Sequence, residues 1–149
     1  MRLSTNGNDT KAERQPATTV TLNAALAILG AAGAMAAEIG VPMNIAVVNE
    51  GNNLVVFARM DGAWLGSIDI AQNKAYTARA FDMPTKDLAA LAQPGASLYG
   101  IQASNHGRLI VFAGGIPLVS GRRVVGAIGV SGGTVEQDQE VAEAGAAAF

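Results

Sequence analysis

The 149-residue chain is the size of one domain, and with half of its residues apolar it can bury a core without disulfides or a structural metal. Ten basic and twelve acidic residues, a formal charge of -2 and no run of like charges give no electrostatic footprint for nucleic acid or an anionic membrane. The absence of cysteine excludes a disulfide framework, an iron–sulfur cluster and a thiolate-ligated haem, and one histidine cannot make a typical structural zinc site.

The opening stretch MRLSTNGNDTKAERQPATT has too little apolar surface to offset the entropy of ordering, so residues 1–19 are expected to form a flexible lead-in and 20–149 a single domain. It lacks the apolar region of a secretory signal, and the alanine-rich segment after it carries Asn23, Glu38 and glycines. A soluble, cytoplasmic protein is expected. From Thr21 to Ile39, Leu22, Ala25, Leu26, Leu29, Met35, Ala36 and Ile39 follow helical spacing, and Gly40 and Pro42 end the helix. MNIAVVN and LVVFARM then read as two strands around the turn Glu50-Gly51-Asn52-Asn53.

A second helix is predicted over 63–81 and, after the break at Pro84-Thr85, a short one over 86–91. QPGASLYGIQASNHG reads as an irregular loop. Leu109–Phe112, Ile116–Ser120 and Val124–Val130 read as strands, the last two joined through Gly121-Arg122. Thr134-Val-Glu-Gln137 is a capping box that opens a final helix. The order α-β-β-α-α-β-β-β-α predicts an α+β fold, a three-layer α-β-α sandwich around a five-stranded antiparallel sheet.

GVSGGT, Gly129 to Thr134, matches the G-x-S-x-G of a hydrolase nucleophile elbow, but that elbow sits on a mostly parallel sheet and draws its base from a later histidine. No histidine follows Ser131. Its glycines instead allow close packing and a sharp turn into the last helix. Lys74 emerges from a largely apolar arc with Ile70 and Phe81, so it snorkels at the edge, pairs with Asp61 or Glu50, or meets an anionic ligand. Partly desolvated, it would be a candidate base. Strand alternation puts Arg59 and Asp61 on one face, where they either pair with each other or serve a site, Arg59 receiving a carboxylate and Asp61 orienting Lys74 or capping the next helix. His106 is the sole imidazole, in SNHGR at the end of the loop, either solvated or bound to a ligand. Tyr76, Tyr99 and the methionines are packing residues or alternative axial ligands.

Four stretches stand out as a set: RMDGA (59–63), AQNKAYTA (71–78), FAGGIPL (112–118) and VVGAIGVSGGTVEQD (124–138). In this order and spacing the chain, from about Thr21 onward, resembles the GlcG/HbpS family of haem-binding and haem-degrading proteins and the C-terminal domain of the propanediol-utilisation corrinoid adenosyltransferase. The resemblance implies a homo-oligomer as large as an octamer, with haem as cofactor in some members. Some members ligate iron through a histidine near the start of the first helix; Thr18–Ala25 contains none. His106 is then the metal-ligand candidate, with Arg59, Lys74 and Arg108 as cofactor-binding candidates toward the propionates. Two other functions fit the residues: a cofactor-independent enzyme on a small carbonyl or carboxylate compound, with Lys74, Asp61 and Arg59 catalytic, and an accessory or scaffold subunit.

Overall fold

The computed structural model describes residues 15–149, so the expected flexibility of 1–14 falls outside the described residues. The rest of that lead-in is docked. Ala17 N–H donates to the Ser120 hydroxyl at 2.8 Å, the Thr19 hydroxyl donates to the Glu50 carboxylate, and Val20 is buried in the core. The Thr19 bond is also the main reason that the Glu50 carboxyl lies below the ordinary glutamate value.

Helix α1 spans Leu22–Ile39, with Thr21 outside it as the cap, its hydroxyl accepting from Ala24 N–H at 3.2 Å, and Gly40 closing it in the left-handed conformation. By length and composition α1 could cross a bilayer; here the i, i+3, i+4 series Ala25, Ile28, Ala32 and Ala36 is buried against the rest of the domain. Strands β1 (Asn44–Asn49) and β2 (Leu54–Arg59) form the expected hairpin. They are followed by α2 (Gly66–Phe81) and α3 (Thr85–Leu91), then β3 (Gly115–Ser120), β4 (Arg123–Ser131) and α4 (Val135–Ala146). The capping box forms as written, with Thr134 and Gln137 bonding each other's backbone N–H groups.

Among the described residues the sheet has four strands, not five, in the order β2-β1-β4-β3, with every neighbouring pair antiparallel. The expected strand at Leu109–Phe112 is absent. Leu109 is buried, but the Ile110 N–H donates to the Thr77 hydroxyl on α2 at 3.0 Å, so a helix side chain satisfies this backbone where a ladder would otherwise do so. Ladder pairing with β4 begins at Gly114, whose carbonyl accepts from Val130 N–H.

Alternation along β1 divides the core in two. Ile45 and Val47 join α1 and α4 residues in the larger cluster, while Ala46 and Val48 face α2 with Ala75, Ala78 and Ala127. Helices α1 and α4 pack together over one face and α2 lies on the other, giving the expected three layers. The α2 layer is tight because its partners lack side chains: a Cβ on Gly129 would lie 2.0 Å from Ala71 O and 2.4 Å from Ala75 N, and one on Gly115 would lie 2.5 Å from Lys74 O. Much of the glycine pattern in the last two strands is thus explained by helix-to-sheet contact. Gly129→Ala is expected to destabilise the fold by about 3 kcal/mol, the upper part of the range for overpacking, and a urea melt against wild type measures it.

Candidate functional site

Lys74 has no exposed surface. Its Nζ donates to Asp138 Oδ2 at 2.7 Å and to Val130 O at 2.8 Å, and the Phe112 ring lies 4.9 Å away. The partner is therefore Asp138, in the first turn of α4, and neither Asp61 nor Glu50. The carboxylate is itself well held, since Oδ1 accepts from Gly132 N–H at 3.1 Å and Gly133 N–H at 2.9 Å. Lysine reaches from the α2 layer to α4 past Gly114, where a Cβ would sit 2.7 Å from Nζ and 2.6 Å from Val130 O. Gly114 also has φ 119°, so the position requires glycine for backbone and space alike. Burial is the main influence on the lysine and lowers its pKa from 10.5, with the charge and hydrogen bond of Asp138 opposing.

Arg59 and Asp61 do not pair with each other. The Arg59 Nε and Nη2 donate to Ala63 O at 3.1 and 2.9 Å, fastening the end of β2 to the segment entering α2, and Asp61 is exposed. In strand register Arg59 is opposite Asn44, and Asn44 opposite Ser131. Asn44 is fully buried; its Nδ2 donates to Trp64 O at 3.0 Å and its Oδ1 has no partner. Ser131 is also buried at the end of a strand in an antiparallel sheet, a different setting from the elbow its motif suggested.

The third group lies in the 95–108 loop. His106 and Arg108 are exposed. The Arg108 guanidinium stacks 3.6 Å from the Tyr76 ring centroid, and the Tyr76 hydroxyl donates to Asn105 Oδ1 at 3.2 Å, so α2 anchors both sides of the histidine. Asn105, His106 and Gly107 are consecutively left-handed, with φ 51°, 58° and 72°. For the two non-glycine residues this costs on the order of 1–3 kcal/mol each, a strain found most often at functional sites. Tyr99 is exposed nearby in sequence and Met43 belongs to the core.

The sequence-selected residues thus fall into three separate settings: the Lys74 pair, the Arg59 strand end and the His106 loop. Reasoning from sequence missed Asp138, Asn44 and the anchoring role of Tyr76. The signal for Asp138 was its position after T-x-x-Q and the diglycine, where a carboxylate can meet free N–H groups. Lys74→Met leaves Asp138 buried without its cation and is expected to cost about 3–5 kcal/mol; adding Asp138→Asn, which removes the charge, should return part of that loss in the same melts. Because the folded lysine releases its proton below 10.5, the unfolded chain binds more protons in the interval up to that value, so wild-type stability gains a component that rises with pH there. Melts in alkaline buffers should show that component in wild type and not in Lys74→Met.

The model of the haem-degrading, HbpS-like proteins matches residues 20–147. A 15.0 kDa protein from the dhaT–dhaS intergenic region of Citrobacter freundii is 47% identical over 129 residues, covering 87% of this chain and 91% of that protein. The corrinoid adenosyltransferase PduO of the same organism is 37% identical over 140 residues, which is 94% of this chain and 42% of PduO. Among solved structures, a PduOC–haem complex superposes with a TM-score of 0.83 at 35% identity, covering 85% of this chain and 92% of that one. Streptomyces reticuli HbpS, solved as a double mutant, superposes with a TM-score of 0.80 at 32% identity, covering 100% of this chain and 97% of that one. With these matches across nearly the whole domain, the chain belongs to the HbpS-like family.

Proposed function

We propose that this protein binds haem. The observation that carries the reading is the superposition on a relative solved as a haem complex, over most of both chains. The donor set fits the group: His106 is the single imidazole, it is exposed, and neighbouring Arg108 offers a cation suited to a propionate. Bound haem would supply iron-centred ligand exchange and redox chemistry. The chain's own contribution would be to hold the backbone that presents His106, through the Tyr76 contacts to Asn105 and Arg108 and the left-handed conformation at 105–107. The loop around His106 and Arg108 is exposed, so the macrocycle would lie on an open surface. A second copy covering that surface would exclude water, in keeping with a homo-oligomer. Exposed Tyr99, Leu98 and Phe112 in and just after the loop offer apolar area for both contacts.

Buffering or degrading haem is the finer question, and Lys74 bears on the acid/base alternative. Its lowered pKa favours a proton-transfer role, while its bonds to Asp138 and Val130 and its complete burial favour a structural one.

Titration of purified protein with haemin should give a saturable Soret shift that is lost or displaced in His106→Ala. An unsaturable signal removes the binding claim; a shift unchanged in the variant removes only the ligand assignment. In aerobic buffer with ascorbate, a persistent Soret band indicates buffering, and its decay with iron release indicates degradation.

A further inference from the structure

We infer that the outer edge of β2 is an interaction surface for a second copy of this chain, which joins it through its own β2 to make one continuous eight-stranded sheet. β2 ends the strand order, and no strand lies beyond it among the described residues. Burial agrees: β1 is buried from Asn44 to Val48, whereas every residue of β2 retains exposed surface. Met60 N–H donates to Met43 O at 3.0 Å, so Met43 and Met60 are a hydrogen-bonded pair, and alternation makes Ile45–Ala58 and Val47–Val56 the next two. The N–H and C=O groups of Phe57 and Arg59 therefore point away from β1, toward the open edge.

The opposite edge selects a second β2 as the occupant. β3 is closed by its own chain: the bond from Val130 N–H to Gly114 O sets the alternation, Gly115 N–H faces outward but is taken by the Thr85 hydroxyl at 2.9 Å, and Pro117 has no N–H. A head-to-tail contact of β2 with β3 is thus blocked. β2 itself has neither proline nor lysine, the usual devices that keep an edge single. Its one charge is Arg59 at the last position, and antiparallel pairing about a two-fold axis sends the two arginines to opposite ends.

The helix above the edge has a surface that fits the same contact. α1 packs on β2 and β1 while α4 packs on β4 and β3, and Ile28 and Ala32 of α1 sit against Gly145 of α4. Leu22, Leu26, Gly30 and Gly33 lie roughly 120–200° around the helix from Ile28, on the flank turned from α4 and over the β2 edge. The Thr19–Glu50 bond holds the start of α1 at the β1–β2 turn, which brings the exposed side chains of Leu22 (57%), Leu26 (49%) and Leu54 (51%) to one corner. Further along, Gly30 and Gly33 have nothing within 4 Å of where a Cβ would stand. A two-fold axis through the β2 edge therefore sets the leucine half of one α1 against the glycine half of the other. Since paired strands are ~4.8 Å apart and α1 straddles β1 and β2, the two helices would lie ~10 Å apart, a spacing at which helices pack. This layer is across the sheet from α2 and the His106 loop, so the contact is independent of the haem reading.

The test weighs the full-length chain by sedimentation and follows hydrogen exchange at single amides. Wild type is expected to sediment as a dimer or a larger even-numbered assembly, with the outward amides of Phe57 and Arg59 protected. Leu54→Lys and Leu26→Lys, both at half-exposed positions, should at least halve the mass and lower protection at those two amides ~10-fold or more. Gly33→Gln should do the same although it replaces glycine by a better helix former, so a fall in mass there is not unfolding. Leu91→Lys on α3, also exposed, should leave mass and protection at wild-type values. A monomeric wild type, free exchange of Phe57 and Arg59 in wild type, or full protection of both amides in the three variants overturns the contact; a mass lowered equally by Leu91→Lys overturns its placement at β2.

Discussion

The Lys74–Asp138 ion pair is the constraint around which the rest of the domain is arranged. An ammonium and a carboxylate withdrawn from water are tolerable only when geometry and further hydrogen bonds compensate both, and the surroundings are built accordingly. Gly132 and Gly133 give N–H groups to one carboxylate oxygen, Val130 gives a carbonyl to the lysine, and Phe112 lays its ring beside the cation. Each of these comes from a different part of the second hairpin or its flanks. The pair therefore ties α2, the approach to β3, the end of β4 and the start of α4 together.

That requirement explains the glycines better than any reactive-site motif does. A lysine can run from one helical layer to the other only past a position without a side chain, which is Gly114, and α2 can come near enough for this only if the sheet beneath it is bare, as at Gly115 and Gly129. Ser131 in G-x-S-x-G belongs to the same construction. Its neighbouring glycines hold the Asp138 carboxylate, and the serine itself joins a buried row with Asn44.

Polar groups not consumed by this scaffold gather at two other places, each carrying an uncompensated physical cost. At the His106 loop the cost is conformational, with two non-glycine residues held left-handed. Next to the segment entering α2 it is electrostatic, the Asn44 Oδ1 acceptor buried without a donor. The His106 loop lies at the surface, whereas Asn44 is fully buried.

Local spacing was enough to read the helices, the two hairpins, the capping box and the antiparallel arrangement, because each rests on contacts within a few residues or across a short turn. It failed at Leu109–Phe112, whose apolar run is as compatible with lying along a helix as with joining a ladder; the hydroxyl of Thr77, more than thirty positions away, decides between them. It was enough to single out Lys74 as a cation in an oily surface, but not to find Asp138, since charge pairing across sixty-four positions leaves no periodic trace. The different partners of Arg59, Lys74 and the His106 loop were likewise legible only in the tertiary structure, because strand order and layer packing are long-range properties that one segment of chain does not carry.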